Sequence, residues 1–359
     1  MIENANDAGR TLTLCLRLLA AALLCVGLST GCGAAPDPSP GGKAHILPNG
    51  FRNTDPAFVP PSFWERLMFI PSRTWTTTFY PRTSGLPVVD HAATDSLHGD
   101  TGTTVTWIGH STLLVRLDGM TILTDPQWSE RASPVSFAGP KRFTPPGVPF
   151  EQLPPVDVVL ISHDHYDHLD VDTVQRLATV HNPLFLAPLG LKAWFADLGI
   201  TKVEELDWWE SREIRGLTLT CLPAQHFSGR TLWDHNRRLW STWAVAGAGK
   251  RFFFAGDTGY YPGFKEIGSR FGPFDVAAIP IGAYVPPSMM RMIHITPEEA
   301  LQLFADIQGR NFAAVHWGTF DMTDEPVEEP PLRLNAEARR LGIDPARVWV
   351  FKHGETREW

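Results

Sequence analysis

Four potential metal ligands lie within six residues of this 359-residue chain, shortly after an apolar stretch that predicts a buried strand at 156–161. They are His163, His165, Asp167 and His168. Alternate residues of an extended chain share one side, so His163 and His165 can hold one metal ion. The chain then turns, and Asp167 and His168 can face a second ion. A lone histidine is usually a satisfied core residue, but four clustered ligands favour a metal site.

One such cluster cannot complete two metal sites, so other parts of the chain must supply ligands. His226, Asp257 and His316 each follow an apolar segment that predicts a strand. Taken singly, each is more often a capping or core polar residue than a ligand. Together they stand where α/β sheets place functional groups, at strand ends that lead into loops.

The chain from about residue 103 onwards alternates predicted strands and helices. Asp118 and Gly119 predict a hairpin between strands at 105–117 and 120–124. Thr296, followed by Pro297 and Glu299, predicts a helix from 297 to about 307. Further helices are predicted near 171–178, 191–198, 264–271 and 333–341, and further strands at 184–187, 217–223, 240–255, 274–280, 312–315 and 347–351. Mixed strands with interleaved helices indicate a layered α/β body.

Residues 1–32 have the composition of an export signal. Arg10 and Arg17 precede the apolar segment 18–28, which has secretory length and is too short to span a bilayer comfortably. The sequence STGC that ends at Cys32 resembles a bacterial lipobox, in which the cysteine is acylated. We expect an exported lipoprotein of the cell envelope. An ordinary cleaved signal and a short membrane anchor are the alternatives.

The residues that follow divide into a tether and an arm. The segment 33–42 is rich in Pro and Gly and predicts a flexible tether. The segment 43–102 is weakly periodic, contains many prolines and carries large apolar side chains such as Trp75 and Phe79. We expect an arm packed on a catalytic domain at 103–359; an apolar surface that faces a membrane or a substrate is the alternative.

Composition excludes other classes of protein. The net charge is -8 and the basic residues are scattered singly, so nucleic acid is not an expected partner. Three of the four cysteines, Cys15, Cys25 and Cys32, lie in the leader and the fourth is Cys221, so no disulfide is expected within the body. Cys221 stands in an alternating apolar segment and is expected in the core.

The whole set of candidate ligands resembles the metallo-β-lactamase superfamily, whose pattern is H-x-H-x-D-H, a later His, an Asp and a final His. Within it, the chain resembles the N-acylphosphatidylethanolamine-hydrolysing phospholipase D family over roughly residues 105–355. The stretches that carry this resemblance are 106–111 (TWIGHS), 123–126 (LTDP), 139–143 (GPKRF), 165–170 (HYDHLD), 206–210 (LDWWE), 252–260 (FFFAGDTGY), 279–284 (IPIGAY), 316–320 (HWGTF) and 353–355 (HGE).

The resemblance implies an αββα sandwich and two zinc ions. One ion would be held by His163, His165 and His226, the other by Asp167, His168 and His316, with Asp257 bridging both. Imidazole and carboxylate ligands suit zinc, although the same set accepts iron or manganese. A water shared by two such ions becomes a nucleophile near neutral pH, so hydrolysis needs no serine or cysteine nucleophile.

The resemblance also implies roles for residues beside the ligands. His294 and Asp167 are the expected catalytic residues, and His294 would also contact the substrate phosphate, as Tyr166 would contact the substrate. From the residues alone, a loop histidine such as His294 is more often satisfied by backbone. His110 is expected to support a ligand rather than bind metal, and Asp125 to end a strand.

Three hypotheses remain open at this stage. The first is a phospholipase D-type zinc phosphodiesterase that cleaves N-acylphosphatidylethanolamine or a related phospholipid at a membrane surface, with a homodimer as one possible assembly. The second is another hydrolase of the same fold, acting on a lactone or a soluble phosphodiester. The third is a non-catalytic metal-binding lipoprotein, which the complete ligand set disfavours.

Overall fold

A computed structural model describes residues 43–89 and 102–359 of the chain. The predicted leader at 1–32, the predicted tether at 33–42 and residues 90–101 of the predicted arm lie outside the described residues. One compact unit extends from His45 to Trp359. Within the described ranges, no helix is both long and apolar enough to cross a membrane.

Strands and helices alternate along most of this unit. In chain order the strands are β1 Ile46–Leu47, β2 Gly50–Phe51, β3 Thr104–Gly109, β4 Thr112–Leu117, β5 Met120–Thr124, β6 Val158–Leu160, β7 Leu184–Pro188, β8 Val203–Leu206, β9 Ser211–Ile214, β10 Leu217–Leu222, β11 Thr242–Ala246, β12 Arg251–Phe254, β13 Phe274–Pro280, β14 Gly309–Val315, β15 Val348–Trp349 and β16 Thr356–Glu358. The α-helices are α1 Phe63–Phe79, α2 Val171–Val180, α3 Lys192–Asp197, α4 Gly263–Phe271, α5 Pro287–Met290, α6 Pro297–Asp306 and α7 Glu329–Arg340.

Two mixed sheets form the centre of the fold. Among the described residues each has seven strands, in the orders β16-β3-β4-β5-β6-β7-β8 and β15-β14-β13-β12-β11-β10-β9. Alternate residues of β4 face opposite sides: Leu113 and Val115 belong to the core between the sheets, whereas Leu114 packs beneath the helical layer that contains Val174 and Phe195. Helices α4, α6 and α7 also contribute buried residues to the core. The predicted α/β fold, an αββα sandwich, is confirmed.

The strongest local sequence signals are matched closely. The hairpin at Asp118 and Gly119 joins β4 to β5, with Leu117 opposite Met120. Thr296 caps α6, because its side chain accepts from the backbone of Glu299 while the Glu299 side chain bonds back to the Thr296 backbone. Both predictions are confirmed. The sequence reveals these features because each rests on contacts between residues close together in the chain.

Two of the predicted strands were too long. The segment 105–117 forms β3 and β4, which turn around His110 at φ 52°. The segment 240–255 forms β11 and β12, and Gly247 donates to the carbonyl of Lys250 in the turn between them. Both breaks carry turn residues in the sequence, Gly109 and His110 in the first and Gly247, Gly249 and Lys250 in the second, which the strand predictions passed over.

The arm contains a helix that the sequence analysis did not predict. Helix α1 begins with a capping box, in which Ser62 accepts from Glu65 and Glu65 bonds back to the Ser62 backbone. Pro71 lies inside the helix and obscured its pattern. The capping box was the available signal.

A buried carboxylate holds α1 and the following segment against the body. Asp321, which is fully buried, accepts from Arg73 Nη2 at 2.7 Å and from Arg82 Nε at 2.7 Å. The backbone N–H of Arg82 also donates to Asp321 at 2.9 Å. Because Asp321 lies five residues after His316, the arm is bound directly to the segment that follows a predicted metal ligand.

We expect Asp321→Ala to lower the free energy of unfolding by about 3 kcal/mol, because it leaves two arginines facing a buried site without an anion. Denaturant unfolding monitored by circular dichroism measures this change. Asp324→Ala is the matched control: its carboxylate pairs with Arg73 at 3.1 Å but is 46% exposed, so its removal should cost under about 1 kcal/mol. Equal losses for the two variants would contradict the anchoring role of Asp321.

Candidate metal centre

Four strands direct polar residues to one edge of the two sheets. His163 follows β6, His226 follows β10, Asp257 follows β12 and His316 directly follows β14. Strands β12, β13 and β14 are parallel, and so are β5, β6 and β7. Carboxyl ends of parallel strands meet at one sheet edge, which is why residues far apart in sequence come together.

Three histidines form the first donor group. His163 Nε2 lies 2.8 Å from His165 Nδ1, and His226 Nε2 lies 3.3 Å from the same nitrogen. In a tetrahedral zinc site with Zn–N bonds of about 2.0–2.1 Å, ligand nitrogens stand about 3.3 Å apart. His163 and His226 are buried and His165 is half-buried. The three nitrogens therefore converge with nearly the spacing that a metal ion requires.

The second donor group combines histidines with a carboxylate. Asp167 Oδ2 lies 3.1 Å from His168 Nε2, 3.5 Å from His316 Nε2 and 2.8 Å from His110 Nε2. These four side chains are buried, and the ligand atoms of the group lie within 4.8 Å of one another. Their arrangement suits a cation held by two or three imidazoles and one carboxylate.

Asp257 lies between the two groups. Its Oδ2 is 3.1 Å from His168 Nε2 and 3.8 Å from His226 Nε2, and its Oδ1 is 3.1 Å from His316 Nε2. One carboxylate thus contacts histidines of both groups.

Hydrogen bonds fix which ring nitrogen faces the centre. His168 Nδ1 lies 2.6 Å from Asp125 Oδ2, and His226 Nδ1 lies 2.8 Å from the carbonyl of Ile293. When Nδ1 donates to these acceptors, Nε2 keeps the free lone pair that a metal ion needs. Both rings therefore present Nε2 to the donor groups.

Several buried polar atoms here have no hydrogen-bond partner in the described part of the chain. They are His168 Nε2, Asp257 Oδ1, His294 Nδ1 and both ring nitrogens of His316. Leaving such atoms unsatisfied costs about 1–3 kcal/mol each. A divalent cation would bind imidazole nitrogens and carboxylate oxygens of this kind, so these residues fit a metal centre.

The first group holds neutral imidazoles. Burial lowers the pKa of His165 to about 4 and that of His226 to about 3, and it holds the pKa of His163 well below its usual range. All three rings are therefore neutral at pH 7, which is the form of histidine that binds a metal ion.

The second group has the opposite electrostatics. Burial lowers the pKa of His168 and His316, but the carboxylates of Asp257 and Asp167 outweigh it. The pKa of His168 lies well above its usual range, and that of His316 rises to about 9. A metal ion that binds this group must therefore displace protons.

His294 and Tyr166 lie in different surroundings. His294 Nδ1 is 3.8 Å from Asp257 Oδ2, and His294 forms a third possible metal-holding group with His226 and Asp257. Burial lowers the pKa of His294 to about 3. The Tyr166 hydroxyl instead donates to the Arg230 carbonyl at 3.0 Å, and its ring lies 3.9 Å beneath the Arg230 guanidinium. Contact of Tyr166 with a substrate stays a prediction.

His110 contacts two predicted ligands. Besides the bond from its ring to Asp167, its carbonyl accepts from the backbone N–H of His316 at 2.9 Å. His110, Asp125 and His316 have φ values of 52°, 32° and 58°, a region that non-glycine residues rarely adopt. Nothing in the sequence indicates this backbone conformation at these positions.

The model of the β-lactamase superfamily domain matches residues 120–317, a range that contains all seven predicted ligands. The fold and the site agree with this match, and the chain belongs to the β-lactamase superfamily. A metallo hydrolase from the archaeon Ignicoccus hospitalis shares the fold, with a TM-score of 0.55 and 21% identity over 72% of this chain and 99% of that one.

Two curated relatives narrow the assignment. The chain is 48% identical to N-acyl-phosphatidylethanolamine-hydrolyzing phospholipase D 1 of Caenorhabditis elegans, over 74% of this chain and 80% of the relative. It is 36% identical to the mitochondrial N-acyl-phosphatidylethanolamine-hydrolyzing phospholipase D of Saccharomyces cerevisiae, over 66% of this chain and 52% of the relative. Within the superfamily, the chain belongs to this phospholipase D family of metal-dependent hydrolases.

We expect Asp125→Asn to weaken metal binding by about 10- to 100-fold, because the amide no longer anchors His168 Nδ1 as a charged acceptor. Competition with a chromophoric chelator measures the affinity, and elemental analysis measures the bound metal. Asp172→Asn changes an exposed carboxylate on α2 and serves as the control. Unchanged affinity in a folded Asp125→Asn protein would show that this hydrogen bond does not support the metal centre.

Proposed function

We propose that the protein is a zinc-dependent phosphodiesterase that hydrolyses N-acylphosphatidylethanolamine or a related phospholipid to phosphatidic acid and an N-acylethanolamine. The observation that carries this proposal is the Asp257 carboxylate, which lies between two donor groups. The 48% identity to a relative named for this substrate supports the choice of lipid.

The donor groups support a two-ion site. His163, His165 and His226 would hold one ion, Asp167, His168 and His316 the other, and Asp257 would bridge them. Two zinc ions bound there would supply a water that is deprotonated near neutral pH and would stabilise charge on phosphoryl oxygens. Asp167 and Asp257 offset only two of the four positive charges of such a pair, so the site would attract a phosphodiester anion.

His294 is suited to act on the substrate as a hydrogen-bond donor. It is largely buried, and its Nδ1 lies beside Asp257 without a hydrogen-bond partner in the described chain. From there its ring can donate to a phosphoryl oxygen or to the departing oxygen, which stabilises the charge that develops as the P–O bond breaks. No covalent intermediate is required, and Cys221 lies fully buried in the core between the sheets.

We also propose that the enzyme works at a membrane surface. A diacyl phospholipid resides in a bilayer, and the export signal and lipobox-like sequence at Cys32 would hold an acylated protein there. Acylation at Cys32 and assembly into a homodimer stay predictions from the sequence.

A substrate panel tests the reaction. We expect zinc-loaded protein to convert N-acylphosphatidylethanolamine to phosphatidic acid that carries one oxygen from ¹⁸O-labelled water, as mass spectrometry would show. Bis(p-nitrophenyl) phosphate should also be cleaved, and an added alcohol should not be transferred to the phosphatidyl group. Opening of an acyl lactone without cleavage of either phosphodiester would overturn the proposal in favour of a lactonase.

We expect His294→Asn to lower kcat by about 10²- to 10⁴-fold while both metal ions stay bound, because a donor to the reacting phosphate is removed. Steady-state kinetics and elemental analysis of the same preparation measure the two quantities. His181→Asn, at the far end of α2, is the control and should retain full turnover. Loss of one metal ion in His294→Asn would instead identify His294 as a ligand, as its position beside His226 and Asp257 permits.

A further inference from the structure

Helix α1 turns an apolar face towards solvent. Met68, Pro71, Trp75 and Phe79 recur every three or four residues and therefore lie on one side of the helix. Met68 is 74% exposed, Trp75 61% and Phe79 59%, and the rings of Trp75 and Phe79 lie 4.5 Å apart. We call these four residues the outer stripe.

The inward side of α1 is held largely by polar contacts. Thr77 is fully buried and donates to the carbonyl of Arg73, whose guanidinium binds Asp321 and the carbonyl of Met322. An amphipathic helix on a soluble protein normally buries its apolar side. In α1 the outer stripe instead faces solvent, while the ion pair of Arg73 with Asp321 holds the opposite side of the helix against the body.

Helix α1 lies beside the metal centre. Phe69 of α1 packs in a cluster with Phe227 and Ile293, and the Phe227 ring is 4.4 Å from the ring of His165. At the other end of the helix, Thr78 accepts a hydrogen bond from the backbone of Gly139, in the loop that exposes Phe137. The apolar surface therefore continues from α1 onto a neighbouring loop.

The chemistry of the outer stripe favours a bilayer over a second copy of the chain as its occupant. At about 200 Å² for a fully exposed large side chain, the stripe alone offers roughly 400 Å², against the roughly 800 Å² that a stable protein interface buries on each partner. Ile70, Tyr80 and Phe137, each more than half exposed, extend the apolar surface beyond the stripe, so the choice of occupant rests on chemistry rather than on area. A bilayer needs no complementary surface of fixed shape, and Trp and Phe are the side chains with which interfacial helices enter it.

The chain that precedes α1 also favours a lipid occupant. The ten residues of the predicted tether at 33–42 span at most about 35 Å. An acyl group at Cys32 would therefore keep the body close to the bilayer surface. The outer stripe itself contains no charged side chain that would resist transfer from water.

We propose that the outer stripe is the surface with which the enzyme docks on a phospholipid bilayer, which brings the metal centre to the lipid. The choice of lipid as occupant rests on the proposed function, because a phospholipid substrate is presented by a bilayer. Ion pairing with Asp321 fixes the docked helix relative to the segment that follows His316.

Spin labels test the docking without relying on catalysis. The full chain, with Cys15, Cys25 and Cys32 replaced by Ser to prevent acylation, is labelled at Met68→Cys or at Val180→Cys. Val180 ends α2 at the edge opposite the metal centre and is 66% exposed. The rate at which the spin label collides with oxygen, which partitions into lipid, is compared with its rate of collision with a water-soluble nickel chelate. Both rates are measured with and without vesicles of phosphatidylethanolamine and phosphatidylglycerol.

We expect vesicles to raise the oxygen-to-nickel ratio at Met68→Cys about tenfold or more while Val180→Cys stays in water. A label at Met68→Cys that remains open to nickel on vesicle-bound protein would overturn the proposal. So would a label shielded from both reagents before vesicles are added, because the leader or a second copy would then cover the stripe.

Kinetics supply an independent readout. Trp75→Ser/Phe79→Ser should lower the ratio of turnover on vesicle-embedded phospholipid to turnover on bis(p-nitrophenyl) phosphate by about 10- to 100-fold, since two partly exposed rings would no longer be buried in lipid. Val180→Ser/Leu341→Ser, which changes exposed apolar residues at the opposite edge, should alter the ratio less than about twofold. An unchanged ratio in the stripe variant would contradict docking by α1. If no phosphodiester is cleaved, the proposed function is wrong, and the spin-label measurements alone then test whether the stripe docks on the bilayer.

Discussion

The carboxylate of Asp125 connects the sheets to the metal centre. It accepts from the backbone N–H of Ser162 at 2.7 Å and bonds to the ring of His168 at 2.6 Å. One side chain at the end of β5 thereby fixes both the start of the loop after β6 and the orientation of a histidine within it. The loop carries four of the seven predicted ligands, so the precision of the donor groups depends on this buried contact.

Much of the fold and of the ligand set could be predicted because the signals are local. Asp118 and Gly119 determine a hairpin within four residues, and the four ligands at 163–168 lie within six residues of one another. The support given by His110 depends instead on a backbone turn at positive φ and on hydrogen bonds to residues far along the chain. Such contacts follow from tertiary packing, which no short window of sequence contains.

Helix α1 shows a different limit of sequence reasoning. Its capping box is readable, but its apolar residues would ordinarily be assigned to a core. The ion pair of Arg73 with Asp321 overrides that expectation, because it holds the polar side of the helix against the body, and Arg82 binds the same carboxylate just after the helix ends. The orientation of an amphipathic helix depends on its partners as well as on its own pattern, and those partners lie some 240 residues away.

The position of Asp257 has a thermodynamic consequence. Because a single carboxylate contacts histidines of both donor groups, an ion bound to one group orients an oxygen ligand that the other group also uses. If both groups bind an ion, their occupancies are coupled through this carboxylate, and the coupling is reciprocal: each ion changes the affinity for the other by the same factor. Where this coupling is positive and metal is scarce, a population of such molecules would divide into fully loaded and empty chains, with few that hold one ion. The supply of metal would then determine how many molecules are active rather than how active each molecule is.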